Sequence, residues 1–291
     1  MIRKRTLLAA TLAMPAIARA QSEIRIRFAH SLSTVEPAHQ AAEFFARNMA
    51  ARTNNRVRIE VFPGEQLGSG RDVNEMIRQG ANVMNITDPG YLSDFVPDVG
   101  ILNGPYLVDS HGQFAKLLNS DWYRAVDAKL QQGGFRMIMQ GAYFGARHMI
   151  ADKPIRQPAD MAGMTVRVPP NQMWIETFRS LGARPTTVQW SEIYNALQQN
   201  VVQAAEAPYG SLWGARLQEV RKVISTTGHF QIVTREWSTH PAASCMRMMA
   251  PEKSLIPITP SRHLVRGKSE QCTAVRRPGF VRRNFSRTMN S

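Results

Sequence analysis

The sequence predicts an α/β fold with two domains. Strand-like and helix-like segments alternate along residues 24–139, a second strand and helix series begins near residue 164, and the chain has 291 residues. Such alternation is typical of a sheet with helices on its faces. Since one domain commonly takes roughly 150 residues, this length corresponds to two domains.

The first series begins as strand, helix, strand, helix, strand. Residues 24–29 alternate apolar and polar side chains, which predicts a half-buried strand. Apolar side chains at helical spacing, among them Phe44 and Met49, predict a helix over residues 36–51. The same two periods predict strands over 56–62, 82–86 and 135–139, and helices over 71–79, 113–118 and 122–131.

The second series continues the pattern. It has predicted strands over 164–168, 201–205 and 222–225, and predicted helices over 172–181, 191–199 and 211–220. The extended stretch over 140–158 separates the two series. We therefore expect lobe 1 to span residues 21–140 and lobe 2, including the crossover between lobes, to span residues 141–234.

The first 20 residues have the three parts of a secretion signal. A basic start at Arg3–Arg5 precedes an apolar run over Thr6–Ala18, and Ala18–Ala20 offers a cleavage site between small residues. The apolar run is shorter than the roughly 20 residues that cross a bilayer. The sequence thus predicts export to the periplasm; an ordinary N-terminal helix is the alternative.

Net charge argues against a nucleic-acid-binding domain. The chain carries +14, of which +4 lies in residues 1–20 and +8 in residues 235–291. Residues 21–234 therefore carry only +2. A domain that binds nucleic acid concentrates basic side chains on a face of its folded core, so we expect no nucleic-acid partner.

The last 57 residues differ in composition from the rest of the chain. Residues 235–291 hold nine arginines, both cysteines (Cys245 and Cys272) and no sustained helical or strand period. The segment is predicted to be a basic, atypical tail. Two interpretations stay open: a disordered tail, or a reading frame lost near residue 234. Residues 1–234 contain no cysteine, hence no thiolate nucleophile or disulfide framework.

Motifs typical of enzymes and cofactors are missing from the sequence. There is no Gly-x-Ser-x-Gly elbow, no His-Glu-x-x-His, no Cys-x-x-Cys, no P-loop and no Gly-x-Gly-x-x-Gly. The histidines of the body are scattered without metal-ligand spacing. We expect no catalytic residue, no metal and no cofactor, although a periplasmic enzyme with paired carboxylates acting on a small acid stays an alternative.

A set of short motifs lies between Lys153 and Pro208. They are Ala159–Met164, Val166–Pro169, Ser191–Gln199 and Val201–Pro208, in that order. This stretch resembles the substrate-binding subunit of tripartite ATP-independent periplasmic (TRAP) transporters, the DctP-like family. Weaker similarity extends over roughly residues 24–230 and stops in the tail.

The resemblance implies a two-lobed periplasmic binding protein fold with a ligand cleft between the lobes. It also implies a receptor that binds a small carboxylic acid and delivers it to the integral membrane subunits of a TRAP transporter. The family normally ends in long helices that pack across both lobes, and no version of them is recognisable here. A nonfunctional, truncated or frameshifted binding protein is therefore a further alternative.

The same resemblance names the main candidate site residues. Arg167 matches the arginine that holds the ligand carboxylate, and a guanidinium suits that role because its planar donors match two carboxylate oxygens. Arg147 is the second candidate, and Trp190 matches an aromatic wall of the pocket. Each of these residues also has an interpretation without a ligand. Arg167 could lie on a solvated strand face, Arg147 in a surface ion pair and Trp190 in the core packing.

Three weaker candidates complete the predicted site. Asp88 follows a predicted strand, where open α/β sheets place ligand contacts, but Asp before Pro-Gly also favours a turn. Tyr209 and His30 are candidates of the same kind. At Ala207 the family often has an asparagine that contacts the ligand, so we expect a ligand that is less polar there or bound through another group.

Overall fold

The computed structural model describes residues 23–238 and 273–275. The predicted signal segment over residues 1–20 lies outside the described residues, and so does most of the predicted tail. Within the described part, strands and helices alternate as the sequence predicts, which confirms the α/β fold class.

Ten strands and eight helices of the described residues have these bounds. The strands are β1 Ile24–Ala29, β2 Val57–Phe62, β3 Val83–Thr87, β4 Arg136–Ala151, β5 Thr165–Val168, β6 Arg184–Thr187, β7 Ala205–Pro208, β8 Val223–Ser225, β9 Gln231–Ser238 and β10 Thr273–Val275. The helices are α1 Pro37–Arg52, α2 Gly70–Arg78, α3 Pro89–Leu92, α4 His111–Leu118, α5 Asp121–Gln132, α6 Gln172–Ser180, α7 Ile193–Gln198 and α8 Tyr209–Gly214. Short 3-10 helices span Pro97–Asn103, Pro158–Met161, Trp190–Glu192 and Leu217–Glu219.

One long strand connects the two halves of the main sheet. The strand order is β10-β8-β4-β9-β3-β1-β2, with β7 also paired to β4, and β5 and β6 form a separate parallel pair. β4 is 16 residues long; its first part pairs with β9 and its last part with β7 and β8. The predicted boundary at residue 140 falls inside β4, and β9 continues past Thr234 to lie beside β3.

Both faces of the lobe 1 sheet are buried. β1 pairs in parallel with β2 and β3. On β3, Val83 packs into an apolar cluster with α2 and α5, while Met84 packs into another with α1. Because both faces of such a sheet are buried, the sequences of its parallel strands are mostly apolar.

Lobe 2 repeats this arrangement. On β4, Met149 belongs to one cluster with α6, and the next residue, Ile150, belongs to another with α7 and α8. Because successive strand side chains point to opposite faces, neighbouring residues serve the two clusters. Each lobe is therefore a sheet covered by helices on both faces.

Two predicted elements differ from the observed ones, and one observed strand has no predicted counterpart. The strand predicted over 201–205 begins at Ala205, where it pairs with β4. The helix predicted over 211–220 ends at Gly214, since Arg216 adopts a left-handed conformation with φ of 58°. β6 contains Pro185, a residue that disfavours strands in general; its place in a two-stranded pair costs that proline few ladder bonds.

Among the described residues, no helix combines the length and the apolar character needed to cross a membrane.

Candidate functional site

A cleft opens where three strands end. His30 follows β1, Asp88 follows β3 and Pro169 follows β5, and all three residues line the same cavity. The cavity has about 890 Å³ of space free of protein atoms, part of it open to solvent. Open α/β sheets bind ligands outside the carboxyl ends of their strands, so the cleft lies where a ligand site is expected.

The structure brings five of the six predicted site residues together around this cleft. They are His30 and Asp88 from lobe 1, and Arg147, Arg167 and Trp190 from lobe 2. Tyr209 is not among the residues that line it.

Arg167 lies inside the protein, in contrast to the solvated strand face considered above. Its neighbours on β5, Val166 and Val168, are fully buried in the lobe 2 core, and Arg167 itself is only 2% exposed. Its Nε donates a hydrogen bond of 2.8 Å to the carbonyl oxygen of Val188. This bond and the burial of both neighbours fix the direction of the guanidinium towards the cleft.

The charge of Arg167 has no acidic hydrogen-bond partner among the described residues. Only its Nε has a hydrogen-bond acceptor there, so Nη1 and Nη2 face the cleft with their donors unused. Burial lowers the pKa of Arg167, and the charge of Glu206 opposes that shift only in part. A buried cation without a partner is costly, and an anion in the cleft would relieve that cost.

Unlike Arg167, Arg147 forms an ion pair with an acidic side chain in the described part of the protein. Its Nη2 donates to Oε1 of Glu206 at 2.6 Å and to the Glu206 carbonyl oxygen at 3.0 Å, and its Nε donates to Oε2. The antiparallel pairing of β4 with β7 brings the two residues together. The ion pair is buried rather than on the surface: the Arg147 side chain is 10% exposed and that of Glu206 is 0%.

Glu206 is the centre of a buried polar cluster. Besides Arg147, Nε1 of Trp174 donates to it at 3.1 Å, and Nε2 of His229 lies 3.3 Å from Oε2. Burial raises the pKa of Glu206, but Arg147 and His229 outweigh burial and lower it to about 2. Glu206 is therefore ionised and cancels the charge of Arg147.

Sequence reasoning did not select Glu206 as a site residue. A signal was present, since Glu206 interrupts an otherwise mostly apolar run over Val201–Pro208. A glutamate in a buried strand needs a cationic partner, because unpaired buried carboxylates are rare. The partner is 59 residues away in the chain, so the sequence alone did not identify it.

Asp88 begins a helix and also lies at the cleft. Its Oδ1 accepts a hydrogen bond of 2.9 Å from the backbone N–H of Gly90 and so begins α3, as a turn residue would. It also lines the cleft, close enough to Arg147 to feel its charge. Burial raises the pKa of Asp88, and the Gly90 hydrogen bond and Arg147 counteract this rise.

Trp190 lines the cleft and also packs against the core. The guanidinium carbon of Arg167 lies 5.3 Å from the centroid of the Trp190 ring, within the range of cation–π attraction. Trp190 packs in addition against the apolar cluster around α7. The ring therefore shields Arg167 from water on one side while core packing holds the ring in place.

His30 lines the cleft, but both of its ring nitrogens are already bonded. Nδ1 accepts from the backbone N–H of Leu32 at 3.2 Å, and Nε2 lies 3.1 Å from Nδ1 of His39. Burial, assisted by His39, lowers the pKa of His30 to about 4. A neutral His30 with its proton on Nε2 satisfies both contacts, so its role is to shape the wall of the cleft.

Tyr209 faces away from the cleft. Its neighbours Pro208 and Ser211 line the cavity, whereas Tyr209 is 46% exposed and its ring lies 4.4 Å from that of His148. Ala207, at the position where we expected a less polar contact, does line the cleft.

Tyr91 is a cleft residue that sequence reasoning missed. It lies on α3 directly after Asp88–Gly90, and its hydroxyl has no hydrogen-bond partner among the described residues. Burial raises its pKa to about 12, so the hydroxyl is a neutral donor and acceptor. The short helix that positions it is difficult to predict because it has only four residues.

Hydrogen bonds cross the cleft from one lobe to the other. Nδ2 of Asn171 donates to the Gly90 carbonyl oxygen at 2.7 Å, and the backbone N–H of Ser191 donates to Oε2 of Glu65 at 3.1 Å. The Ser211 hydroxyl donates to the buried Glu36 at 2.7 Å. The two lobes are therefore held in contact around the cavity.

Within the described part of the chain, no group of three or more His, Cys, Asp or Glu side chains is arranged to hold a metal ion.

The geometry agrees with comparisons to known proteins. The model of bacterial extracellular solute-binding protein family 7, DctP, matches residues 28–235. A solute-binding protein of Verminephrobacter eiseniae is 29% identical over 217 residues, which are 74% of this chain and 63% of that protein. The 2,3-diketo-L-gulonate-binding periplasmic protein YiaO of Escherichia coli is 27% identical over 70% of this chain and 62% of that protein. The chain thus spans less than two thirds of the length of these two relatives.

Solved structures show the same architecture. A TRAP periplasmic solute-binding protein from Ochrobacterium anthropi with bound L-fuconate is 33% identical, with a TM-score of 0.73 over 78% of this chain and 77% of that chain. One from Actinobacillus succinogenes with bound L-galactonate is 31% identical, with a TM-score of 0.73 over 77% of each chain. These neighbours confirm the two-lobed α/β fold. The chain belongs to the DctP family of bacterial extracellular solute-binding proteins.

Proposed function

We propose that this protein is an extracytoplasmic receptor that binds a small organic acid in the cleft and delivers it to the membrane subunits of a TRAP transporter. The observation that carries the proposal is the buried Arg167, whose Nη1 and Nη2 have no acceptor among the described residues. Two guanidinium donors side by side match the two oxygens of a carboxylate.

The surroundings of Arg167 support this assignment. Trp190 covers one face of the guanidinium, and exclusion of water strengthens an ion pair. Two related TRAP proteins were solved with L-fuconate and L-galactonate, which are carboxylic acids. Delivery to membrane subunits and location in the periplasm are extended to this chain from its relatives, which are described as TRAP and periplasmic proteins.

A thermal-shift screen of the purified full chain against a library of organic acids tests the proposal, followed by calorimetry on the acids that raise the melting temperature. We expect micromolar binding by at least one acid, and loss of that binding in Arg167→Ala. Removing one partner of a buried charge pair typically costs about 2–5 kcal/mol. Arg184→Ala is a matched control, because Arg184 lies on the adjacent strand β6 and is exposed.

Two results would contradict the proposal. One is a chain that melts cooperatively but shows no shift with any acid. The other is unchanged affinity in Arg167→Ala, which would place the anchor elsewhere. Delivery is tested by acid uptake into vesicles that contain TRAP membrane subunits, which we expect to depend on added receptor.

A further inference from the structure

The charged residues of the cleft are nearly balanced without a ligand. Two cations, Arg147 and Arg167, line it together with two acidic residues, Glu65 and Asp88. Glu206, behind the wall, neutralises Arg147 through two side-chain hydrogen bonds. Among the described lining residues, Arg167 is therefore the single cation available to an incoming anion.

This balance limits the charge of the ligand. One carboxylate on Arg167 uses the available cation. A second carboxylate would lose its water inside the cleft without a free cation to replace it, and it would lie near Asp88 or Glu65. Unpaired buried charges and like-charge contacts are strongly unfavourable.

The lobe 1 side of the cleft offers partners for hydroxyl groups. Asp88 accepts from the Gly90 N–H and lies against Asn103, yet a carboxylate has about four acceptor positions. The Tyr91 hydroxyl has no partner among the described residues and can both donate and accept. Acceptors of this kind are satisfied by the O–H groups of a ligand, whereas an alkyl chain would leave them unpaired.

We propose that the ligand is a monocarboxylate with hydroxyl groups along its chain, a sugar acid, and that Asp88 and Tyr91 bind those hydroxyls and select against a second carboxylate. This inference rests on the proposed function, because it uses the same cleft and the same carboxylate contact at Arg167. It adds the class of acid and two residues that determine specificity.

Matched acids of six carbons test the proposal by calorimetry on the full chain. The panel pairs gluconate, galactonate and mannonate with their dicarboxylates glucarate, galactarate and mannarate, and adds hexanoate, which lacks hydroxyls. We expect the tightest aldonate to bind at least about 10-fold more tightly than any of the dicarboxylates. It should bind at least about 100-fold more tightly than hexanoate, since unpaired polar groups in a site penalise a ligand without hydroxyls.

Asp88→Asn tests the role of the residue itself. The asparagine oxygen can still accept from the Gly90 N–H, so the start of α3 is kept. We expect the aldonate to bind about 10-fold more weakly and the ratio between aldonate and dicarboxylate to fall towards one. Asp88→Ser, which also caps a helix, replaces this variant if the first one does not fold. Asp94→Asn is the control, because Asp94 pairs with Arg71 outside the cleft.

The outcomes separate this inference from the proposed function. Equal or tighter binding of a dicarboxylate or of hexanoate, or an unchanged ratio in the Asp88 variants, would overturn the inference while leaving an acid receptor intact. Absence of binding by every acid, including the library used above, would overturn the proposed function.

Discussion

Arg147 and Glu206 form a buried ion pair in which Nη2 of Arg147 lies 2.6 Å from Oε1 of Glu206. Because Glu206 neutralises Arg147, the positive charge of Arg147 is not available to a ligand in the cleft. Arg167, 20 positions further along the chain, has no acidic hydrogen-bond partner in the part of the chain that the structure describes. The two candidate arginines therefore differ in the charge that they offer to the cleft, because of one glutamate on β7.

Glu206→Gln should strongly destabilise the protein. The change leaves the Arg147 charge buried without its carboxylate, and breaking such a pair typically costs about 3–5 kcal/mol. We expect a loss of that size in the free energy of unfolding, measured by urea titration. Glu219→Gln is the control, since Glu219 pairs with Arg216 on the surface and should change little. Equal effects of both variants would contradict the buried role of Glu206.

Stability should fall as the pH is lowered from 6.5 to 4. Burial lowers the pKa of both His30 and His148 from 6.5 to about 4. In this window the unfolded chain binds protons that the folded chain excludes, so the free energy of unfolding decreases with falling pH. Urea titrations at several pH values measure the slope. His30→Asn should flatten it, and an identical slope in this variant would show that His30 does not contribute.

The same titrations extended to lower pH test Glu206. Its folded pKa of about 2 lies below the ordinary value of 4.5. The stability from its ionisation is fully present above pH 4.5 and is lost as the pH falls towards 2. Glu206→Gln should remove this component of acid unfolding, whereas Glu219→Gln should keep it.

Gly90→Ala should disturb the contact between the lobes. A Cβ at Gly90 would lie 2.8 Å from Oδ1 of Asn103 and 2.8 Å from Nδ2 of Asn171. We expect a loss of roughly 1–3 kcal/mol in unfolding free energy, as for other overpacked sites, together with weaker acid binding. Gly210→Ala is the control, because a Cβ there meets nothing within 4 Å. A Gly90→Ala protein as stable as the control would contradict the tight contact.

If the predicted secretion signal over residues 1–20 is correct, the N-terminus is processed. Expression of the full chain in a bacterium should yield periplasmic protein that begins at Gln21, after the predicted site at Ala18–Ala20. Mass spectrometry of the periplasmic fraction measures this. Ala20→Leu should block cleavage, and recovery of the intact chain from the cytoplasm alone would argue for an ordinary N-terminal helix.

The sequence by itself determined the order of the main elements and indicated one cleft residue on each lobe. Local periodicity marks β1, α1 and β3, because the side-chain pattern of a strand or helix depends on neighbours only a few positions away. The motif around Val166–Pro169 selected Arg167, and the position of Asp88 after a strand placed it at the cleft.

Only the tertiary structure decided which arginine is free, that His30 has both nitrogens bonded and that Tyr209 faces away. The pairing of Arg147 with Glu206 spans 59 residues, and the hydrogen bond from Ser191 to Glu65 spans 126. Contacts at such separations depend on how β4 and β7 pair and how the lobes meet, and no local pattern carries that information. The charge left for a ligand is a property of the folded cleft.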